Sequence, residues 1–215
     1  MQAKRIEVAP EGLGEPMAVL WEGFAARKVA LTPTPMGLQP GKYIQAKWQD
    51  GQFGHTDAVG LQAAHNGTEL CIRLEWESKT RADSVKDNDE FADAAALLFP
   101  LSETASLLMG AQGAPVSLWH WRAHRPKTAR NNVAEGIGTS SRVRGGPDIV
   151  TRAVYHEGRW AVVFRRVMAA EGPGVVSFEA GRSYRTALAV WSGANAERAG
   201  LKAFSPQWVE LTLEG

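Results

Sequence analysis

Hydrophobic and polar residues alternate along much of this chain. In Glu69-Leu70-Cys71-Ile72-Arg73-Leu74-Glu75-Trp76, residues Leu70, Ile72, Leu74 and Trp76 fall on one face and Cys71, Arg73 and Glu75 on the other. That period of two is the mark of a half-buried strand. Residues 57–64 read as its partner, and His65-Asn66-Gly67 between them carries the Asn-Gly hairpin signal. A second hairpin is expected from 149–155 and 160–167, turning at His156-Glu157-Gly158-Arg159. Further strands are expected at 43–48, 94–99, 116–122, 184–191 and 208–213, and short helices at 102–109 and 194–200. Residues 126–147 are polar, rich in Arg, Gly and Ser, and without clear periodicity, so they read as a long surface loop. With 22 Gly and 11 Pro punctuating short strands, the pattern predicts one domain over 1–215. Its expected class is mainly β, an antiparallel β-sandwich with a few short helices and long loops.

Charge and cysteine usage narrow the chemistry. The 215 residues carry 24 Lys and Arg against 23 Asp and Glu, a formal net charge of +1, which offers no electrostatic case for a nucleic-acid partner. No apolar run approaches the ~18 residues of a membrane span. Met1-Gln2-Ala3-Lys4-Arg5-Ile6-Glu7 starts basic but lacks the apolar stretch of a secretory signal, so export would depend on a folded partner. The single cysteine, Cys71, excludes an intrachain disulfide, a CxxCH haem attachment, a Cys-rich zinc site and an iron–sulfur cluster built by this chain alone. A redox cofactor here would be held non-covalently.

Common catalytic signatures are missing: there is no GxSxG, GxxxxGK[ST] or HExxH. His120 and His124 are four residues apart, but Trp119-His120-Trp121-Arg122 reads as a strand, which would separate them by about 13 Å and forbid a shared metal. Asp87, Asp89 and Glu90, followed by Asp93, match a calcium loop in part but lack its turn glycine, and a solvated acidic turn before a strand accounts for them better. The eight tryptophans (Trp21, Trp48, Trp76, Trp119, Trp121, Trp160, Trp191 and Trp208) fit three roles: core packing, a platform for sugar rings, or walls for a flat cofactor. Met109, ahead of Gly110 in a loop between two expected strands, either fills a gap or presents a thioether as an axial haem ligand.

Three segments carry a resemblance: residues 90–100 (Glu90-Phe91-Ala92-Asp93 onward), Met109-Gly110-Ala111-Gln112-Gly113 leading to Trp119-His120-Trp121-Arg122, and residues 189–205, which include Glu197-Arg198-Ala199-Gly200-Leu201-Lys202. In this order they resemble the haem b (gamma) subunits of type II enzymes of the dimethyl sulfoxide reductase family, nearest the ethylbenzene dehydrogenase and steroid C25 dehydrogenase gamma subunits.

The resemblance implies one non-covalent haem b. Met109 of the Met-Gly-Ala motif and Lys202 of the Glu-Arg-x-Gly-x-Lys motif would be its axial iron ligands. It implies a chain with no catalytic site of its own. Its partners would be a beta subunit with iron–sulfur clusters and an alpha subunit with a molybdenum cofactor, and an external acceptor such as a cytochrome c would take the electrons. The expected complex hydroxylates a hydrocarbon or steroid side chain, in the periplasm. A carbohydrate-binding β-sandwich, and the haem subunit of a selenate-, chlorate- or nitrate-type reductase, are the alternatives. A lysine ligates only as the neutral amine, so Lys202 must be held well below its ordinary pKa of about 10.4, by burial and by the iron itself.

Overall fold

The computed structural model describes residues 1–7, 10–39, 41–49 and 51–215. Among them fourteen strands follow in chain order: β1 (Gln2–Arg5), β2 (Arg27–Ala30), β3 (Thr32–Pro33), β4 (Ala58–His65), β5 (Glu69–Glu77), β6 (Ala94–Pro100), β7 (Val116–Arg122), β8 (Thr128–Ala134), β9 (Ser141–Arg142), β10 (Ile149–His156), β11 (Arg159–Val167), β12 (Ser183–Trp191), β13 (Ala203–Phe204) and β14 (Val209–Leu213). Two short helices, α1 (Pro10–Gly14) and α2 (Lys42–Trp48), and short 3₁₀ turns accompany them.

Both expected hairpins form. The Asn66 side-chain oxygen accepts from Thr68 N and Glu69 N at 3.0 and 2.8 Å, and Gly67 takes φ +88°, which joins β4 to β5. Glu157 and Gly158, both at positive φ, turn β10 into β11, as a tight hairpin linking two right-twisted strands requires.

The chain is mainly β with few helices, as expected, but it does not divide into two separate sheets. Pairing runs β14-β1-β4-β5-β11-β10-β8-β7-β6-β12, and β12 pairs again with β14, so ten strands close on themselves. β1 closes the gap by running parallel to β14 through Gln2 and Ala3 and parallel to β4 through Lys4 and Arg5. Closure removes the edges that a sandwich would leave open. β13 and β3 extend outward from β12, β2 lies on β4, and β9 lies on β8.

Inside the closed sheet, Trp76 of β5, Trp121 of β7 and Trp160 of β11 pack edge to face, with centroids 6.1 and 5.2 Å apart. Trp119 stacks near Phe99 at 4.9 Å. Truncating one such ring costs ~3–5 kcal/mol. Half of the eight tryptophans are therefore core, which removes most of the material for a sugar platform.

Four expected elements come out differently. Residues 42–48 form helix α2, because Lys42, Gln45, Ala46 and Lys47 are good helix formers and Tyr43, 93% exposed, has no sheet face to cover. Residues 102–109 form turns, ending at Met109 with φ +69°. Of the expected helix at 194–200 only residues 194 and 195 are helical, in the short 3₁₀ turn Gly193–Asn195, since Ala196 and Ala199 are left-handed. The polar stretch 126–147 contains β8 and β9 rather than being all loop.

Candidate functional site

One outward face of the closed sheet is apolar and covered. Residues paired across neighbouring strands point to the same side, so the register writes this face out row by row. One row is Asn132–Leu118–Leu98–Ala187, and the next is Arg130–His120–Ala96–Ala189–Phe204. The row after that is Arg122–Ala94–Trp191. Ala94, Ala96, Ala187 and Ala189 make a low floor, all under 10% exposed although they point away from the core.

Met109 stands at one end of this floor. Its side chain packs against the cluster of Leu98, Val116, Leu118 and Ala187, together with Trp208. The loop is built to hold it there. Gly110 N donates to Ser106 O at 2.8 Å, Ala111 and Ala114 exchange backbone hydrogen bonds, and Gly136 N donates to the Met109 carbonyl at 2.7 Å. Gly110, at φ +79°, lies so close that a Cβ would stand 2.7 Å from Ala134 O and 2.8 Å from Ala114 O. Met109 itself adopts φ +69°, a left-handed conformation that costs a non-glycine residue ~1–2 kcal/mol. Strain of this kind persists only where the surroundings impose it.

Lys202 stands at the other end. Its Nζ lies 5.1 Å from the centre of the Trp191 ring, and no carboxylate of the described residues pairs with it. Burial pulls the amine down to about 8. Lys202 sits beside the second and third rows and Met109 beside the first. Successive rows are ~7 Å apart along the strands, and Ala96 and Ala189 lie between the two side chains.

The Glu-Arg-x-Gly-x-Lys segment is the frame that delivers Lys202. Glu197, 3% exposed, accepts from Gly54 N at 2.7 Å, Ser192 N at 2.8 Å and Asn195 Nδ2 at 3.1 Å. The Arg198 guanidinium lies 4.7 Å over the Phe91 ring. Trp191 Nε1 donates to Ala199 O at 3.0 Å, and Gln39 Nε2 donates to Gly200 O at 3.0 Å. Leu201 is buried, and the Lys202 carbonyl accepts from Thr34 N at 3.0 Å. Met109 and Lys202 thus come from loops 93 residues apart in sequence and meet over one floor.

Of the remaining candidates, His120 adjoins this site and the others lie apart from it. His120 lies on the same face, its ring 5.2 Å from Trp191, and is pushed down to about 4 by burial and then by Arg122, Lys202, Arg130 and His124. Asp93 is not part of a solvated acidic turn: it is 1% exposed and accepts from Ala82 N, Trp160 Nε1 and Gly193 N at 3.0, 2.9 and 2.9 Å. Among the described residues no group of three or more His, Cys, Asp or Glu side chains is placed to hold a metal ion. A groove of about 690 Å³ between Met17, Trp21 and Arg73 lies on β4 and β5 and is lined by neither Met109 nor Lys202; Glu75 in it pairs with Arg73 and Arg159. Arg122 and Arg130, beside the floor, were not singled out by motif; the signal available was the acid-free basic run Arg122, His124, Arg125, Lys127, Arg130.

A small-residue floor, apolar neighbours, a thioether and a half-buried amine without a carboxylate partner suit a flat apolar cofactor whose metal accepts sulfur and nitrogen. The donor set therefore fits a haem.

Comparison with known proteins agrees. The ethylbenzene dehydrogenase family model matches residues 18–146 and 137–203. The chlorate reductase gamma subunit of Ideonella dechloratans is 33% identical over 98% of this chain and 85% of its own length. The dimethylsulfide dehydrogenase gamma subunit of Rhodovulum sulfidophilum is 30% identical over 93% of this chain and 77% of its own. A protein of Haloferax mediterranei named as a respiratory nitrate reductase haem subunit is 28% identical over 90% of this chain, which spans 66% of that relative, just under two thirds. Among solved structures, a family 9 carbohydrate-binding module from Caldicellulosiruptor kristjanssonii superposes with a TM-score of 0.53 over all of this chain and 96% of its own, at 8% identity, a likeness of fold alone. On the extent of the family match and the identity to the two gamma subunits, this chain belongs to the ethylbenzene dehydrogenase family.

Proposed function

We propose that this chain is the haem b-binding, electron-transfer (gamma) subunit of a molybdenum oxidoreductase, with Met109 Sδ and Lys202 Nζ as the two axial ligands of a non-covalently held haem. The observation that carries the proposal is Lys202: a half-buried lysine whose amine lies over the Trp191 ring, is held down to about 8 and has no carboxylate partner among the described residues, across an alanine floor from a methionine held at positive φ. A lysine placed in this way is disfavoured as an ammonium and available as a lone-pair donor.

When bound, the haem supplies a one-electron iron couple. The chain's residues set the conditions around it. Met109 offers a thioether, which favours reduced iron and raises the potential. Ala94, Ala96 and Ala189 let a flat ring system approach the sheet closely, and Leu98, Leu118 and Trp191 exclude water from it. If Met109 and Lys202 both held the iron, the protein would leave it no open position for substrate or oxygen, which fits electron transfer and not catalysis on this chain.

The relatives' names, gamma subunits of reductases and a dehydrogenase, support partner subunits. We take these partners to be an iron–sulfur beta subunit and a molybdenum alpha subunit, with an external acceptor such as a cytochrome c. We place the complex in the periplasm, exported with a partner. Electron flow from substrate to this haem is the dehydrogenase reading. The reverse flow, in a chlorate- or nitrate-type reductase, is the second reading, supported by identity to the chlorate reductase gamma subunit.

The test is the spectrum of two variants. Met109→Ala is expected to lower the midpoint potential or loosen the haem, and Lys202→Ala to convert low-spin ferric iron to a high-spin or water-ligated form. Unchanged spectra and potential in both would remove these residues as ligands.

A further inference from the structure

The covered face ends in a cationic margin that the haem reading alone does not use. Arg130 of β8 pairs with His120, and Arg122 of β7 pairs with Ala94, so both arginines start from the same face and the same rows as the alanine floor. Arg122 is half-buried and Arg130 is exposed beside it. None of Arg122, Arg125 and Arg130 has a carboxylate partner among the described residues, whereas Arg73, Arg81, Arg152 and Arg159 on other surfaces all do. His124, at the end of the same strand, keeps Nδ1 buried without a hydrogen-bond partner. Burial and then the proximity of Arg130 and Arg125 weaken the hold of Arg122 on its proton, so these charges lie within reach of one another. Holding a half-buried guanidinium close to other like charges without a counter-ion is costly, and an anion bound between them offsets that cost.

Resting on the haem reading above, we propose that Arg122 and Arg130 seat the two propionate carboxylates of the haem, fixing its polar edge at the β7–β8 margin while Met109 and Lys202 take the iron. Guanidinium groups bind carboxylates through paired, charge-assisted hydrogen bonds, which suits this task better than a point charge would. A cofactor carboxylate fits better than an acidic protein partner, because Arg122 is half-buried, Arg122 and Arg130 lie in the rows of the floor, and the His124 Nδ1 beside them is buried. An acidic partner would also engage the exposed Arg125 and Lys127, which lie between β7 and β8 and outside those rows.

The experiment compares haemin with haemin dimethyl ester, whose propionates are blocked, on the full haem-free chain. The wild type is expected to bind haemin at least about tenfold more tightly than the ester, on the scale of one charge-assisted contact. Arg122→Gln/Arg130→Gln is expected to lose that preference while its haemin complex keeps the low-spin spectrum, and Lys127→Gln to retain it. Equal binding of acid and ester by the wild type, with a low-spin spectrum, overturns the propionate seat and leaves the haem reading standing. A double variant that keeps the preference, or weakens both ligands equally, also overturns it and would leave the cluster to an acidic partner or to a structural role. Binding of neither porphyrin overturns the haem reading itself, and the propionate seat with it.

Discussion

The carboxylate of Glu197 and the backbone N–H of Gly54 meet at 2.7 Å across 143 residues of sequence, and this contact anchors the loop that carries Lys202. Gly54 is at φ +71°, and a Cβ there would stand 2.8 Å from Pro33 Cα and 3.1 Å from the Lys202 carbonyl. Loop 52–54, strand β3 and the Lys202 segment therefore form one packed unit, with Glu197 at its centre.

Glu197→Ala removes the acceptor of one buried N–H, Gly54, and of two part-buried ones, Ser192 N and Asn195 Nδ2, and leaving a buried donor unsatisfied costs ~1–3 kcal/mol. The variant is expected to lose about 3 kcal/mol of stability in urea unfolding. Haem retention should fall as well, because the frame of Lys202 is loosened. Wild-type haem affinity in this variant would contradict the role given to the frame.

Gly110→Ala tests the Met109 loop. The added Cβ meets two carbonyl oxygens at 2.7 and 2.8 Å and forces a φ of +79° on an L-residue. The loop must shift, so Met109 is displaced while keeping its side chain. A weakened methionine–iron bond is the expected outcome, read as a lowered potential or partial conversion to high spin; Gly113→Ala, where a Cβ meets no atom within 4 Å, is the comparison with the milder effect.

Much of this architecture is written in the order of residues. Leu70, Ile72, Leu74 and Trp76 alternate because one face of β5 is core, and Asn66-Gly67 marks its hairpin. The closure of ten strands is not, since it depends on β1, four residues with one buried side chain, pairing with two distant strands. β8 escaped the period-two test because Arg130 and Asn132 lie on one face and Asn131 on the other, so neither face is apolar. Residues 102–109 have helical composition, but a left-handed Met109 ends them, and a backbone sign is not visible in a residue name. The site divides the same way. Met109 stood out as a thioether ahead of a glycine; Lys202, by spacing alone, is one surface lysine among many, and only its motif marked it. What makes it chemical is the Trp191 ring and the lack of a carboxylate among the described residues, both of which are tertiary facts.

Acid sensitivity is expected from a residue far from the haem site. His65, buried at the end of β4, is held below its ordinary 6.5 chiefly by burial, opposed by the Glu214 backbone. Between its folded value and 6.5 the folded chain binds fewer protons than the unfolded chain, so stability rises with pH there. The contribution is complete above 6.5 and is lost as pH falls through the folded value. Urea unfolding of the haem-free chain from pH 7.5 downward should therefore show a steeper loss for wild type than for His65→Gln. Parallel curves would contradict it.

The central claim is that Met109 and Lys202 converge on one haem iron. Its most direct measurement is the oxidised and dithionite-reduced visible spectrum of the chain purified with its partners, with a pyridine haemochrome count. One b-type haem per chain, low-spin in both oxidation states, is the predicted result. A colourless chain that stays colourless after incubation with haemin would contradict it.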